Sequence, residues 1–386
     1  MANNMSRERD LRIDVMRGFA LVWIFWNHIP GNVMSWLTPR NYGLSDSTEI
    51  FVFLAGVSFA LAYQGRLLKD GFMAAWRTAL WRVLAIYQAH LRVSALIIVM
   101  TLLTGILFGI QQYPGLTGLL LTAQEHSPVR LFLALLLLQF KPPNLDVLPL
   151  YVCMLAAAVP LLQLTMKGKG WLAFLASVGV YVAAQHGLAL HDLHREPWAF
   201  NPFAWQLLFV LGMLAARNGP SLRVLATSRA MMLLALGWLA LSALLVLSWH
   251  QPALHNVLPD SVQQWLYPIS KPNLDILRLT HFFALAILFV RWVPAQAQWL
   301  KSKVMRPFAR IGAKSLEGFT SGIVLSFLGA VVMTELASSA PPVMVGVLGV
   351  AVSVFGLVVM YVWCASAGGG PVRQLLRSAV REKPAM

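Results

Sequence analysis

Ten apolar stretches, each close to the length of a membrane-crossing helix, follow one another along this chain of 386 residues. A transmembrane helix needs about 20 mostly apolar residues, within a range of about 17–25. Hydrophobic residues make up 58% of the chain and charged residues only 12%, too few to cover the surface of a soluble protein. The sequence therefore predicts an all-α, polytopic integral membrane protein. Its predicted spans are residues 13–33, 47–64, 82–110, 145–166, 171–190, 202–216, 229–249, 274–291, 315–336 and 342–364.

The basic residues predict how these spans are oriented. If the N-terminus lies in the cytoplasm, 22 Lys and Arg residues fall in cytoplasmic segments and five fall on the opposite side. Because cytoplasmic loops of membrane proteins are enriched in Lys and Arg, this split predicts ten spans with both termini inside. It also accounts for the net charge of +15 without a nucleic-acid partner. A further apolar piece, residues 130–140, is too short to span and predicts a re-entrant or interfacial helix.

The chain shows no internal repeat and no separate soluble domain, so residues 1–366 are predicted to form a single transmembrane domain. Within it, Gly56 is predicted to allow close packing of helices. Residues 367–386 are predicted to form a short basic cytoplasmic tail near membrane lipid. Cys153 and Cys364 both lie inside apolar stretches and predict neither a disulfide framework nor a zinc site. No metal site is expected, because no metal-ligand spacing stands out among the loop histidines His191, His194, His250 and His255.

The first predicted span carries ionisable residues, which are energetically costly inside a membrane. Asp14, Arg17 and His28 lie on one stripe of that helix, and Arg17 and His28 are separated by about 16 Å along its axis. Intramembrane ionisable residues mark functional sites by default. The alternative is a structural Asp14–Arg17 ion pair and a histidine bound to a carbonyl, and the spacing leaves both interpretations open.

Other spans supply possible partners on each side of the membrane. The predicted topology puts acids, bases and imidazoles in the outer half, a mixture suited to proton transfer at a hydroxyl group. These residues are His28, Glu49, Asp146, Asp275, Arg278 and His281. In the inner half, Arg17 is joined by His90 and Arg92, a cationic group suited to phosphates. The alternative for Asp275 and Arg278 is a packing salt bridge, and for the basic residues on the inner side it is the positive-inside rule alone.

The first two spans resemble the acyltransferase-3 superfamily of membrane acyltransferases. Residues 13–18, which read I-D-V-M-R-G, resemble its opening motif, and Arg17 with His28 fits its R-x10-H signature. Further stretches across the chain resemble the OpgC family, which succinylates osmoregulated periplasmic glucans. They are residues 9–14, 27–32, 49–54, 144–151, 201–206, 278–282 and 311–317. The chain departs from the pattern at Ala55, where Ser is usual, and at Ala313-Lys314.

The resemblance implies a multi-pass protein of the bacterial inner membrane that moves an acyl group from acyl-CoA, expected to be succinyl-CoA, to a periplasmic glucan. No permanently bound cofactor is expected. The expected catalytic residues are His28, Glu49, Asp275 and His281. His28 is expected to act as the general base, oriented by Glu49 or Asp275, and His281 is the competing candidate for the base. Arg17, His90 and Arg92 are expected to bind the donor. Asn27, Asn32, Asp146 and Arg278 are expected to bind the substrate.

Two other functions fit the same composition. Within the enzyme class, the acyl group could be acetyl and the acceptor another envelope glycan or a lipid. A secondary transporter would also carry buried charges, but transporters often show internal repeats and broken helices in matching positions. No such symmetry is found in this sequence, so an acyltransferase is favoured. The sequence does not indicate an oligomeric state.

Overall fold

The computed structural model describes residues 10–108, 122, 124–219, 224, 226–251, 259–337 and 340–366. Over these ranges the chain forms helices and no strand, which confirms the all-α prediction. The predicted basic tail, residues 367–386, lies outside the described residues. The helices are α1 (Leu11–Asn27), α2 (Ser47–Phe108), α3 (Pro128–Leu136), α4 (Val147–Met166), α5 (Gly170–Gln185), α6 (Pro202–Arg217), α7 (Arg229–His250), α8 (Asp260–Leu266), α9 (Ile276–Trp292), α10 (Arg306–Ala313), α11 (Ser315–Ala337) and α12 (Pro342–Ser366).

Five of the described helices are long and apolar enough to cross a membrane: α2, α4, α7, α11 and α12. Much of their apolar surface faces outward, as on α12, where Val343 is 80% exposed and Val347 is 65% exposed. Large exposed apolar surfaces of this kind require lipid or a protein partner rather than water. The protein is therefore a membrane protein. The number of ten spans and the cytoplasmic position of both termini remain predictions.

Helix α2 contains two of the predicted spans. Residues 47–64 and the described part of the predicted span 82–110, which ends at Phe108, lie on opposite sides of Gly71, where the helix is interrupted. Gly71 has φ 81° and ψ 178°, a backbone conformation that favours glycine because a Cβ atom would be strained there. The chain can therefore change direction between the two parts of α2.

The short segment before α4 is helical, as predicted. Helix α3 covers nine residues, and the Ser127 hydroxyl caps it by accepting a hydrogen bond from the Arg130 amide. Its apolar side chains Val129, Phe132 and Leu133 are exposed. Whether α3 lies at the membrane interface or re-enters the membrane remains a prediction.

Two reciprocal glycine contacts hold the central helices close together. A Cβ atom on Gly56 of α2 would lie 2.0 Å from the Phe209 carbonyl of α6, and one on Gly212 of α6 would lie 2.2 Å from the Phe53 carbonyl of α2. Small residues at such crossings let helix backbones approach within a membrane. The prediction that Gly56 serves close helix packing is confirmed.

Helix α1, which carries His28 at its end, is held in the same way. A Cβ atom on Gly18 would lie 1.9 Å from the Phe308 carbonyl, and one on Gly312 would lie 1.8 Å from the Asp14 carbonyl. Helices α1 and α10 therefore cross with their backbones in direct contact. This contact fixes the position of α1 and hence the place where its C-terminal end meets the other elements.

Candidate active site

A cavity with a volume of ≈ 350 Å³ opens beside the end of α1. Its wall combines apolar side chains with a few polar groups, as ligand sites generally do. Six separate parts of the chain contribute to it: the end of α1, the start of α2, the start of α4, the loop before α6, the loop before α9, and α11. The lining residues are Ile24, His28, Thr48, Asn144, Asp146, Val147, Ala199, Phe200, Lys271, Pro272 and Phe319.

His28 is positioned by the end of α1 itself. It caps the helix after Asn27, and its ring Nδ1 lies 2.7 Å from the Ile24 carbonyl oxygen. A carbonyl oxygen can only accept a hydrogen bond, so Nδ1 carries the proton and donates it to Ile24. In the neutral imidazole, Nε2 then holds the lone pair. His28 is therefore held at the cavity wall in the tautomer that a general base requires.

An ion-pair cluster borders the cavity where α2 begins. We use this term for Asp46, Glu49, Lys271 and Arg278. Lys271 Nζ lies 2.5 Å from Asp46 Oδ2, and Arg278 Nη2 lies 2.6 Å from Glu49 Oε1 and 3.4 Å from Asp46 Oδ2. Glu49 is fully buried, so the guanidinium of Arg278 supplies the opposite charge that a buried carboxylate needs.

The two carboxylates of this cluster also cap helix α2. The Thr48 amide donates to Asp46 Oδ1 at 2.8 Å, and the Asp46 amide donates to Glu49 Oε2 at 2.8 Å. This reciprocal pattern is a capping box, with Asp46 and Glu49 three residues apart. Burial alone would raise the pKa of Asp46, but the positive charges of Lys271 and Arg278 hold that pKa far below its usual value. These two cations therefore favour the charged form of Asp46, which pairs with Lys271 at the cavity wall.

His281 lies on α9, one turn after Arg278, and has a different environment from His28. Its Nδ1 accepts a hydrogen bond from the Ser45 amide at 3.3 Å and lies 2.7 Å from the Ser45 hydroxyl. A Cβ atom on Gly43 would lie 2.1 Å from His281 Nε2, so the ring packs directly against that glycine. His281 is 3% exposed and does not line the cavity. His281 stabilises the loop that precedes α2 through its hydrogen bonds with Ser45.

Neither carboxylate expected to orient His28 is its hydrogen-bond partner. Glu49 pairs with Arg278, and Asp275 caps α9 by accepting a hydrogen bond from the Leu277 amide at 2.8 Å. The ring of His28 is oriented instead by the carbonyl oxygen of Ile24. The reason is local: the last carbonyl groups of a helix have no intrahelical partner, and His28 follows directly.

The residues expected to bind substrate are divided between the cavity and the scaffold. Asp146 lines the cavity, and Arg278 belongs to the ion-pair cluster. Asn27 Oδ1 accepts a hydrogen bond from the Thr38 hydroxyl at 2.9 Å. Asn32 is 3% exposed, and its amide nitrogen donates to Ser353 and to the Trp26 carbonyl, so Asn32 ties α1 to α12.

The three residues expected to bind the donor are not brought together in the structure. Arg17 Nη1 donates to the Ser58 hydroxyl at 3.2 Å, between α1 and the first part of α2. His90 is fully buried and lies in electrostatic range of Lys141, whereas Arg92 is exposed and donates to the Gln88 carbonyl. Two residues that are two positions apart on a helix point to different faces. His90 and Arg92 therefore lie on different faces of α2, and their role in donor binding remains a prediction.

Several residues of the cavity and of the ion-pair cluster were not predicted as site residues, above all Lys271 and Asn144 at the cavity and Asp46 in the cluster. Lys271 counted only as a basic residue in a loop, and no motif connects it with Asp46, which lies 225 residues away. Asp46 did carry a signal, because Asp followed three residues later by Glu before an apolar run is a helix-start pattern. Asn144 has φ 67°, which an asparagine tolerates better than most residues, but the sequence around it does not reveal this conformation.

A protein-family model described as OpgC protein matches residues 9–368 of the chain. This match covers nearly the whole chain, including every residue of the cavity and of the ion-pair cluster. No curated protein and no solved structure matches the chain.

Proposed function

Because the chain belongs to the OpgC family, whose members have an acyltransferase-like role in glucan modification, we propose that it transfers a succinyl group from cytoplasmic succinyl-CoA to a hydroxyl group of a periplasmic glucan. The observation that carries the proposal is the environment of His28. The Ile24 carbonyl oxygen fixes the proton on Nδ1, and the ring borders a cavity, so Nε2 is the nitrogen that can accept a proton from a bound hydroxyl.

The proposed step begins at the acceptor hydroxyl. His28 Nε2 accepts its proton as the oxygen attacks the thioester carbonyl carbon, so a carbon–oxygen bond forms and the imidazole becomes positively charged. The tetrahedral intermediate then collapses, the carbon–sulfur bond breaks, and the imidazolium returns the proton to the leaving thiolate. The products are the glucan ester and free CoA. General-base help of this kind contributes about 10²–10⁴-fold to a rate.

The charges at the cavity wall suit this reaction. Negative charge develops on the carbonyl oxygen as the hydroxyl attacks, and a fixed cation nearby stabilises it. Lys271 lines the cavity and is held in place by Asp46, which remains charged. Asp146, which also lines the cavity, provides an acceptor for another hydroxyl group of a sugar.

The position of Arg17 fits a donor that enters from the cytoplasmic side. Arg17 and His28 lie eleven residues apart on the same helix and its cap, a distance of about 16 Å along the axis. A pantetheine arm is of the right length to bridge this distance while the phosphates of the CoA head remain near the cytoplasm. Arg17 contacts Ser58 on α2, so the proposed path runs between α1 and α2.

The proposal is tested with the purified full-length protein in detergent. It is incubated with succinyl-CoA and an unsubstituted glucan, and the glucan is analysed for succinyl esters by mass spectrometry. Release of free CoA in the same samples shows whether the thioester is consumed in step with ester formation. Acetyl-CoA serves as the competing donor.

We expect succinyl esters that depend on both the protein and the glucan, with CoA released in equal amount. A protein that consumes acetyl-CoA but not succinyl-CoA would overturn the succinyl assignment and keep the acyltransferase class. Absence of thioester consumption with either donor would overturn the reaction itself.

A further inference from the structure

Three side chains with metal-binding groups meet in the loops beside α3. Glu125 and His126 lie just before α3, and His194 lies in the loop between α5 and α6. One ligand atom from each residue lies within 4.8 Å of the others. Nothing in the proposed reaction uses these side chains, and none of them lines the cavity.

The buried imidazole ring of His126 is a second observation that points to a ligand at this cluster. Both ring nitrogens of His126 are buried and have no hydrogen-bond partner within the part of the chain that the structure describes. A buried polar group without a partner is destabilising, and such groups in native proteins often contact an ion. The ring lies against His194, with 5.5 Å between the two centroids.

His194 is arranged in the manner of a metal ligand. Its Nε2 lies 3.3 Å from the Thr122 hydroxyl, and its Nδ1 lies 3.6 Å from Glu125 Oε2. If Nε2–H donates to Thr122, Nδ1 carries the lone pair beside the carboxylate. Metal-binding histidines usually donate their other N–H group to an oxygen atom in this way.

The loop that carries His194 is itself well fixed. The Asp192 carboxylate accepts hydrogen bonds from the amides of His194 and Glu196, each at 2.9 Å, and the Leu193 amide donates to the Gln139 carbonyl. A ligand on a fixed loop keeps its geometry without the metal, which favours binding.

We propose that Glu125, His126 and His194 bind a divalent zinc ion. Two imidazole nitrogens and one carboxylate oxygen form a common three-residue zinc set, which leaves one tetrahedral position for water. Ligand atoms bound to zinc at about 2.0–2.2 Å lie about 3.4 Å apart, so the His194–Glu125 pair needs almost no movement. Magnesium and calcium prefer oxygen ligands and fit this set poorly.

Zinc at this position would join the segment before α3 to the loop of residues 191–197. That loop continues directly to Ala199 and Phe200, which form part of the cavity wall. The ion would therefore hold one wall of the cavity in place without contacting a substrate. The site does not depend on the proposed acyl transfer.

The site is tested on the full-length protein, purified in detergent with an affinity tag that contains no histidine. After dialysis against a chelator, zinc is added and bound metal is counted by mass spectrometry. Binding of cobalt as a substitute is followed by its visible absorption. His126→Ala and His194→Ala remove ligands, and Glu125→Gln removes the exposed carboxylate charge with little risk to folding. His191→Ala is the matched control, because it lies in the same loop and outside the cluster.

We expect one zinc ion per chain, an affinity at least about tenfold weaker in each of the three ligand variants, and unchanged binding in His191→Ala. Cobalt should give an absorption band typical of a four-coordinate site, and Glu125→Gln should change it. The proposal is overturned if the wild-type protein retains no stoichiometric zinc, or if zinc binds the ligand variants as tightly as the wild type.

Discussion

The His28 cavity and the ion-pair cluster border each other, yet their polar groups are engaged to very different degrees. In the cluster, Glu49 uses both carboxylate oxygens, one for Arg278 and one for the Asp46 amide. At the cavity wall, the hydrogen bond of His28 within the described residues runs through Nδ1, and Nε2 keeps its lone pair. A side chain whose hydrogen-bonding atoms are all engaged stabilises the structure. A side chain such as His28, which uses one ring nitrogen for a hydrogen bond, can still accept a proton at the other.

The comparison also separates the two histidines that were candidates for the base. His281 is buried, and Ser45 and Gly43 enclose its ring. His28 lies at the cavity, anchored by its own helix. We therefore expect substitutions at His28 to affect catalysis, and substitutions at the engaged residues to affect stability first.

The largest effect is expected for His28→Ala. Without the imidazole, no group accepts the hydroxyl proton, so succinyl transfer should fall by about 10²–10⁴-fold. Binding of succinyl-CoA and the thermal unfolding temperature should change little, because His28 is half-buried and its hydrogen bond within the described residues is to the Ile24 carbonyl of its own helix. Transfer is measured as glucan ester, and donor binding by calorimetry. Near-normal transfer by this variant would end the proposed role of His28.

Breaking the buried ion pair is expected to have the next largest effect, on stability. Glu49→Leu removes the nearer of the two carboxylates that Arg278 contacts and leaves Asp46 at 3.4 Å. Removal of one partner of a buried pair costs about 3–5 kcal/mol, and the remaining Asp46 contact places the expected loss at the lower end of that range. The double variant Glu49→Leu with Arg278→Met replaces both charges and should recover much of this loss. The free energy of unfolding is measured in mixed micelles with a denaturing detergent.

The outcome for catalysis decides whether Glu49 also takes part in the reaction. If the double variant regains stability and retains transfer, the pair is a scaffold for the start of α2. If it regains stability and transfers no succinyl group, Glu49 or Arg278 acts on the substrate, as the sequence interpretation supposed.

A smaller effect on stability is expected for His281→Ala. The substitution leaves the buried Ser45 hydroxyl without its partner, which costs about 1–3 kcal/mol. Because Ser45 immediately precedes Asp46, the loop should loosen and transfer should be reduced but not lost. Thermal unfolding and the rate of transfer are measured on the same preparation. If His281→Ala loses as much transfer as His28→Ala without a loss of stability, His281 and not His28 is the better candidate for the general base.

The sequence predicted the helices well because their signal is local. The lengths of the apolar stretches located the helices. Gly56, whose side chain is only a hydrogen atom, indicated a close helix contact that the structure confirms. The sequence did not predict which groups meet across the fold. Lys271 pairs with Asp46 from the far end of the chain, and His194 approaches Glu125 only because two loops converge.

The direction of a side chain on a helix was another limit of the sequence interpretation. His90 and Arg92 were grouped by depth, but depth takes no account of the helix face on which a residue lies. Only the packed structure shows that one is fully buried and the other exposed. The role of Arg17 in donor binding also remains a prediction. It requires a path for the donor between the helices, and the lengths of the apolar stretches do not reveal such a path.

The smallest effect is expected at Asp275, where the sequence interpretation and the structure differ most. Its carboxylate caps α9 through the Leu277 amide, and loss of such a cap costs about 0.5–2 kcal/mol. Asp275→Ala should therefore lower the unfolding temperature slightly and leave the rate of succinyl transfer close to that of the wild type. Asp275→Asn keeps an oxygen that can accept the same hydrogen bond and should restore the stability. A catalytic carboxylate would behave in the opposite way, because Asn preserves the cap but cannot exchange a proton. If Asp275→Asn has normal stability but loses succinyl transfer, Asp275 takes part in the reaction and is not only a helix cap.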